Sequence, residues 1–146
     1  MRLTAFSDYT LRTLMYLALR PNTLCTIDEI AAAYGISAHH LTKVVHQAAQ
    51  AGEITTVRGQ RGGLRLACRP EAINIGAVLR RTEPDLAIVP CFGAASACAI
   101  QPVCVLQGVL GDALAAFLAV LDRTTLAELI RPKRRLRELL QLEAAT

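Results

Sequence analysis

Three cysteines, Cys91, Cys98 and Cys104, fall within fourteen positions of a 146-residue chain that has only five. Thiolate sulfur is a soft ligand, and soft ligands select zinc, copper(I) or iron–sulfur clusters. The gaps of six and five residues match neither the C-x-x-C pair of most structural zinc sites nor a ferredoxin spacing. On spacing alone a cluster, a zinc ion and free thiols all stay open. The stretch from Leu86 to Gly111 is free of charge and holds several Gly and Ala, so its backbone can bring three thiols to one centre. Cys25 and Cys68 sit beside apolar positions and read as small buried hydrophobes.

A second set of residues carries phosphate chemistry. Arg58, Arg61, Arg65 and Arg69 occur between Ile54 and Arg69 with no acid among them. Unopposed guanidinium groups suit the DNA backbone or a narrow minor groove. A further basic run, Arg131 to Arg137, holds five cations and no acid. A third set, Ser37, Ala38, His39, His40, Thr42 and Lys43, is short or polar, as contact with base edges requires. His39 and His40 are neighbours that point apart on a helix, which fits solvent or DNA contact rather than a shared metal.

These residues need elements to hold them. Apolar steps of three and four over Phe6–Leu19 predict a first helix, with Thr4 or Ser7 as its cap. Thr26-x-x-Glu29 is a capping box that opens a second helix, Ile27–Tyr34. Gly35 stops it, and Ser37 caps a third that runs to Ala51. Two capped helices across so short a turn form a helix-turn-helix, whose second helix presents its start to the major groove. Ile54–Val57 and Leu64–Ala67 read as strands around the tip Arg58-Gly59-Gln60-Arg61-Gly62-Gly63, a hairpin wing. Asn74–Arg81 predicts a fourth helix, and Thr82–Pro102 reads as irregular. Val103–Leu121 predicts a long helix with Leu106, Leu110, Leu114, Phe117 and Leu121 as a dimer seam. A short helix over Thr125–Ile130 and a basic tail follow.

The expected fold is therefore mainly α with a small β-hairpin wing. A winged helix-turn-helix domain spans 1–81, and 82–146 holds the cysteine loop, the dimerisation helix and the tail. Hydrophobic residues make up 53% and aromatics 4%, so the core must be aliphatic. The net charge of +4 permits nucleic acid as a partner. Pro90, Gly93, Pro102 and Gly108 interrupt the uncharged stretch, which argues against a membrane span. With no signal-peptide pattern at Met1–Thr4, the expected compartment is the cytoplasm. No C-x-x-C, nucleotide-binding glycine motif or catalytic triad pattern supports an enzyme.

The opening Met1-Arg2-Leu3-Thr4-Ala5-Phe6-Ser7-Asp8-Tyr9 resembles the start of the Rrf-type iron–sulfur regulators. So do Val57-Arg58-Gly59-x-x-Gly62-Gly63-x-x-Leu66-Ala67 and Ile73-x-Ile75-Gly76-x-Val78. The resemblance continues through Leu121-Asp122-x-Thr124-Thr125-Leu126-Ala127 and favours the family's nitric-oxide-sensing repressors. It implies an iron–sulfur cluster on Cys91, Cys98 and Cys104, 4Fe–4S in preference to 2Fe–2S. It also implies a homodimer that binds an inverted-repeat operator in double-stranded DNA, with nitric oxide as the signal. The family's iron–sulfur assembly regulators have a His three residues after the last cysteine, where this chain has Gln107. The resemblance instead offers Asp8 of the partner subunit as the fourth ligand. One departure is the first gap of six residues, where some relatives have five. Besides a nitric-oxide sensor, the same fold suits a regulator that reads cluster status, thiol oxidation or zinc.

Overall fold

The computed structural model describes residues 2–93 and 98–142. Thr4 starts the first helix, α1 (Ala5–Leu19), by accepting the Ser7 N–H at 3.2 Å. The expected capping box opens α2 (Ile27–Tyr34): Thr26 Oγ1 accepts from Glu29 N at 3.1 Å, and Glu29 Oε2 accepts from Thr26 N at 2.6 Å. After Gly35 the chain enters α3 (Ala38–Gln50); Ser37 holds the cap position without a side-chain bond. Strands β1 (Ile54–Val57) and β2 (Gly63–Leu66) pair antiparallel, with Thr55 opposite Arg65. Cys25 adds a bridge to Leu64, with backbone bonds of 2.9 and 2.7 Å that tie the α1–α2 turn to the wing.

Asn74 caps α4 (Ile75–Thr82), accepting from Ala77 N at 2.9 Å. Beyond it, Pro90–Phe92 and Gln101–Val103 are single 3-10 turns in the segment read as irregular. Then come α5 (Val105–Asp122), α6 (Leu126–Leu129) and α7 (Lys133–Leu139), the last formed by the basic tail.

One core joins both sides of the expected 81/82 boundary. Leu14, Ile30, Leu41 and Val78 pack in the same cluster as Leu126 and Ile130, with Leu136 and Leu140 against them. Each fully buried leucine contributes ~1.5–3 kcal/mol. Backbone bonds close the return: Leu126 N to Ile73 O at 2.9 Å and Ile75 N to Thr124 O at 3.0 Å. Thr10 and Thr13, fully buried, donate to the carbonyls of Phe6 and Tyr9 at 2.8 and 2.7 Å, so neither hydroxyl is orphaned.

None of the eighteen residues of α5 is fully buried. Gly108 lies inside it, as in the expected helix, and so does not break the apolar stretch, a correction to the sequence-based case against a membrane span. A single helical Gly costs only ~1 kcal/mol relative to Ala, less than the rest of the helix supplies. By length and composition α5 is long and apolar enough to cross a membrane, with mean hydropathy 1.7. Its mid-helix Asp112 is exposed, and one face of it rests on its own chain. That face is most of the expected seam: Leu110, Leu114, Phe117 and Leu121 are half-buried, whereas Leu106, the first residue of the expected stripe, is exposed because α5 leaves the body of the chain at its N-terminal end. The unpartnered face is the adjacent stripe, Val105, Val109, Ala113, Ala116 and Val120, all exposed. Its steps of four, four, three and four repeat the seam pattern one residue earlier.

The C-terminal end of α5 is fixed to α4. Arg80 grips the Asp122 carboxylate with both guanidinium nitrogens, Nη2 to Oδ2 at 2.8 Å. Asn74 Nδ2 donates to the Asp122 carbonyl at 2.7 Å. Gly76 lies beneath this junction, where a Cβ would collide with Asp122 Oδ1.

Candidate nucleic-acid interface and cysteine segment

Burial sorts α3 into two faces. Leu41, Val44, Val45 and Ala48 turn inward, and Ser37, His39, His40, Thr42 and Lys43 are exposed. Ala38 is half-buried. Thr42 Oγ1 donates to the Ala38 carbonyl at 3.1 Å, so its methyl and its acceptor lone pairs remain for a base edge. His46 is exposed on the same side, three residues after Lys43 and seven after His39. Sequence reading missed it, although that spacing is the helical signal that would have found it.

Rings tie this face to α1. The Tyr9 ring centroid lies 6.2 Å from that of His40, and His40 lies 6.0 Å from His39. Arg12 stands 5.7 Å over the Tyr34 ring, at the end of α2. Burial pushes the Tyr34 phenol up to about 12, against the opposing effect of Arg12, so it stays neutral. Behind the interface Arg81 bonds Glu53 at 2.6 Å and Gln47 at 3.3 Å, fixing the end of α3 and the start of β1 to α4.

The wing tip exposes Arg58 and Arg61 to solvent, and Arg65 is exposed on β2. Gly59 has φ +114°, a conformation closed to L side chains. Gly62 donates to the Gly59 carbonyl at 2.9 Å, and a Cβ there would strike the Val57 carbonyl. Gly63 packs against Cys25. The glycines thus give a tight turn that holds the two tip arginines clear of the body.

The cysteine segment is less assembled. Cys91 sits half-buried in the Pro90–Phe92 turn, and Cys98 is exposed. Cys104 is half-buried at the N-cap position of α5. Gln107 Nε2 donates to the Cys91 carbonyl at 3.3 Å, which seats the first cysteine turn on the opening turn of α5. All three thiols are free. Among the described residues no three His, Cys, Asp or Glu side chains gather closely enough to hold a metal ion. By type, three free thiols, one of them at the N-cap of α5, suit an anionic, sulfur-bound centre. Residues 94–97, part of this loop, lie outside the described residues.

Asp8 is on α1, half-exposed, and its carboxylate pairs with Arg12 Nε at 2.9 Å. Cys25 is buried as expected, and burial pushes its thiol up. Cys68 departs from expectation: it is exposed, because the chain leaves β2 there and no apolar element covers it.

Comparison with known proteins accounts for this arrangement. The Rrf2 family profile, described as "Iron-dependent Transcriptional regulator", matches residues 3–132. The HTH-type transcriptional regulator NsrR of Bacillus subtilis is 48% identical over 145 residues, covering 98% of this chain and 99% of that protein. The regulator of the same name from Geobacillus kaustophilus is 48% identical over 143 residues, covering 97% of each. Among solved structures, CymR, the global cysteine regulator of B. subtilis, superposes with a TM-score of 0.72 at 25% identity, over 88% of this chain and 95% of that one. IscR of T. potens shares the fold, with a TM-score of 0.72 at 23% identity over 90% and 88% of the two chains. With its helix-turn-helix, glycine-turned wing and long apolar helix, the chain belongs to the Rrf2 family of winged-helix transcriptional regulators, DNA-binding proteins rather than enzymes.

Proposed function

We propose that the chain is a homodimeric repressor whose operator affinity is set by an iron–sulfur cluster that senses nitric oxide. The observation that carries this reading is the cysteine segment. It holds three free thiols and is bonded through Gln107 to the opening turn of the helix whose outer face is unpartnered. The full-length likeness to regulators named NsrR supports it. Cys91, Cys98 and Cys104 would hold the cluster, and Asp8 of the other subunit would supply an oxygen ligand. When bound, the cluster supplies iron open to nitric oxide.

The chain's own residues carry the signal onward. Asp8 shares α1 with Tyr9, whose ring lies beside His40 at the start of α3. A change in what Asp8 holds is therefore felt next to the residues that read bases. The outer stripe of α5 is covered by the same stripe of a second copy, an isologous two-fold contact. Two heads joined in this way meet half-sites about one helical turn apart, so a small shift in head separation lowers affinity. The site of action is the cytoplasm, where DNA and reduced thiols coexist.

Anaerobic purification tests the reading. The expected protein absorbs broadly near about 400 nm, as thiolate-bound iron–sulfur centres do, and nitric oxide bleaches that band and releases operator DNA together. Alanine at any of the three cysteines abolishes the band. Asp8→Ala keeps a band with an altered spectrum and weakens its coupling to DNA. A colourless protein with full, thiol-dependent DNA binding would instead favour a cluster-free thiol or zinc switch. That alternative draws on the absence of a gathered ligand set among the described residues.

A further inference from the structure

The hairpin that carries the wing has a second basic feature at its base. A concavity of about 410 Å3 opens between the C-terminal end of α1 and β2. Arg20 enters it from the end of α1, Arg65 from β2, and Arg69 from the turn before α4. No acid is among the residues that line it. Arg20 is hydrogen-bonded to Tyr16, a neutral partner that leaves its charge in place, and Glu29 acts on it only weakly through space, its carboxylate being engaged by the Thr26 capping box. Among the described residues, the side chains of Arg65 and Arg69 have neither an ion-pair nor a hydrogen-bond partner. The other basic cluster is different: Arg131, Arg134 and Arg135 are all paired with Glu128 or Glu138.

Three guanidinium groups in one concavity repel one another, and an anion between them relieves that cost. Each offers a planar fork that fits two phosphate oxygens. Asn22 and Thr55 add neutral polar groups to the wall. Cys68 also lines the concavity, and partial burial, then Glu53, push its thiol up, so it brings no competing negative charge.

We propose that Arg20, Arg65 and Arg69 form a phosphate-binding pocket at the base of the wing, distinct from the contacts at its tip. Its ligand is a phosphate oxyanion, from the DNA backbone beside the half-site or from a free phosphorylated small molecule. The DNA source rests on the function proposed above; the free source does not.

The test uses the full-length dimer and two probes, inorganic pyrophosphate by calorimetry and a duplex of about 30 base pairs over a KCl series. The pocket variant is R20Q/R65Q/R69Q. R65Q/R69Q is its backup, since those two side chains have no partner whose loss would disturb the fold. The charge-matched control is K133Q/R134Q/R135Q. The expected result is a loss of about two units in the salt slope of DNA binding for the pocket variant, with the control close to the parent. An unchanged slope together with a roughly tenfold loss in pyrophosphate affinity assigns the pocket to free phosphorylated ligands. Parent-like behaviour of the pocket variant with both probes, or equal losses in the control, overturns the proposal. R58Q/R61Q separates the two levels. If it leaves DNA binding untouched, the DNA reading of the wing fails, and the pyrophosphate arm alone decides the pocket.

Discussion

Replacing Val109 and Val120 by alanine on the outer stripe of α5 should dissociate the dimer without unfolding the subunit. The two residues are 57% and 54% exposed in the single chain, so about half of each side chain is available to a partner. Val→Ala removes two methyl-sized groups worth ~0.8 kcal/mol each when fully buried, or about 0.9 kcal/mol per side chain at this exposure. A two-fold contact counts every substitution twice, which makes the loss about 3.5 kcal/mol, on the order of 400-fold in Kd. Sedimentation velocity over a dilution series reads that shift directly, and thermal unfolding checks that the subunit is intact. Leu114→Ala with Phe117→Ala is the opposing control. Those side chains face the chain's own body, so the pair should lower Tm while dimerisation persists in whatever stays folded. A V109A/V120A protein as tightly dimeric as the parent would refute the assignment. So would an L114A/F117A protein that is monomeric at unchanged Tm, since that would restore the stripe expected from sequence.

Two further outcomes follow from the head. Arg58→Ala or Arg61→Ala should flatten the salt dependence of DNA binding by about 0.9 units per lost phosphate contact. His40→Ala, Lys43→Ala and His46→Ala should instead change preference among operator variants, and a uniform loss across sequences would reduce them to backbone contacts. The third concerns acid. Burial raises the Glu83 carboxyl, but hydrogen bonds from Ser7 and Thr4 together outweigh it and hold the group below its ordinary 4.5. Its contribution is thus present above that value and lost as pH falls through the folded value. The Tm gap between parent and Glu83→Gln should be open at neutral pH and close in acid; a gap that persists at low pH would assign the loss to packing.

Local signals made most of the head legible. The Thr26–Glu29 box, the Gly35 stop and the glycine-rich tip each act within a few residues, and each is found where the sequence put it. The features that sequence did not yield depend on distant partners. Two stripes of α5, one residue apart, carry the same spacing, and only packing decides which faces inward. Leu126 and Ile130 complete the head's core because backbone bonds to Ile73 bring the chain back across about fifty positions of sequence. The arginine pocket escaped for the same reason: Arg20 and Arg65 are far apart in sequence and meet only because Cys25 bridges to Leu64. Of the cysteine segment, the three residues stand out in the sequence, but among the described residues their side chains are not gathered at one centre.

The two ends of α5 are held very differently. At Asp122 the helix is gripped by Arg80 and Asn74 over a glycine floor, with the Ile73–Leu126 bonds just beyond. Near Val105 its tie to the cysteine turn, among the described residues, is one hydrogen bond, from the Gln107 side-chain amide to the Cys91 carbonyl. Mechanically this is a cantilever some 27 Å long, from its 1.5 Å rise per residue. A displacement of about 1 Å at the loose end tilts it by roughly 2° about the clamped end, given that rise. The fulcrum sits on α4, which Arg81 and Glu53 couple to the base of both α3 and the wing. A disturbance among the cysteines therefore acts at the long arm of a lever whose short arm is the DNA-reading head itself.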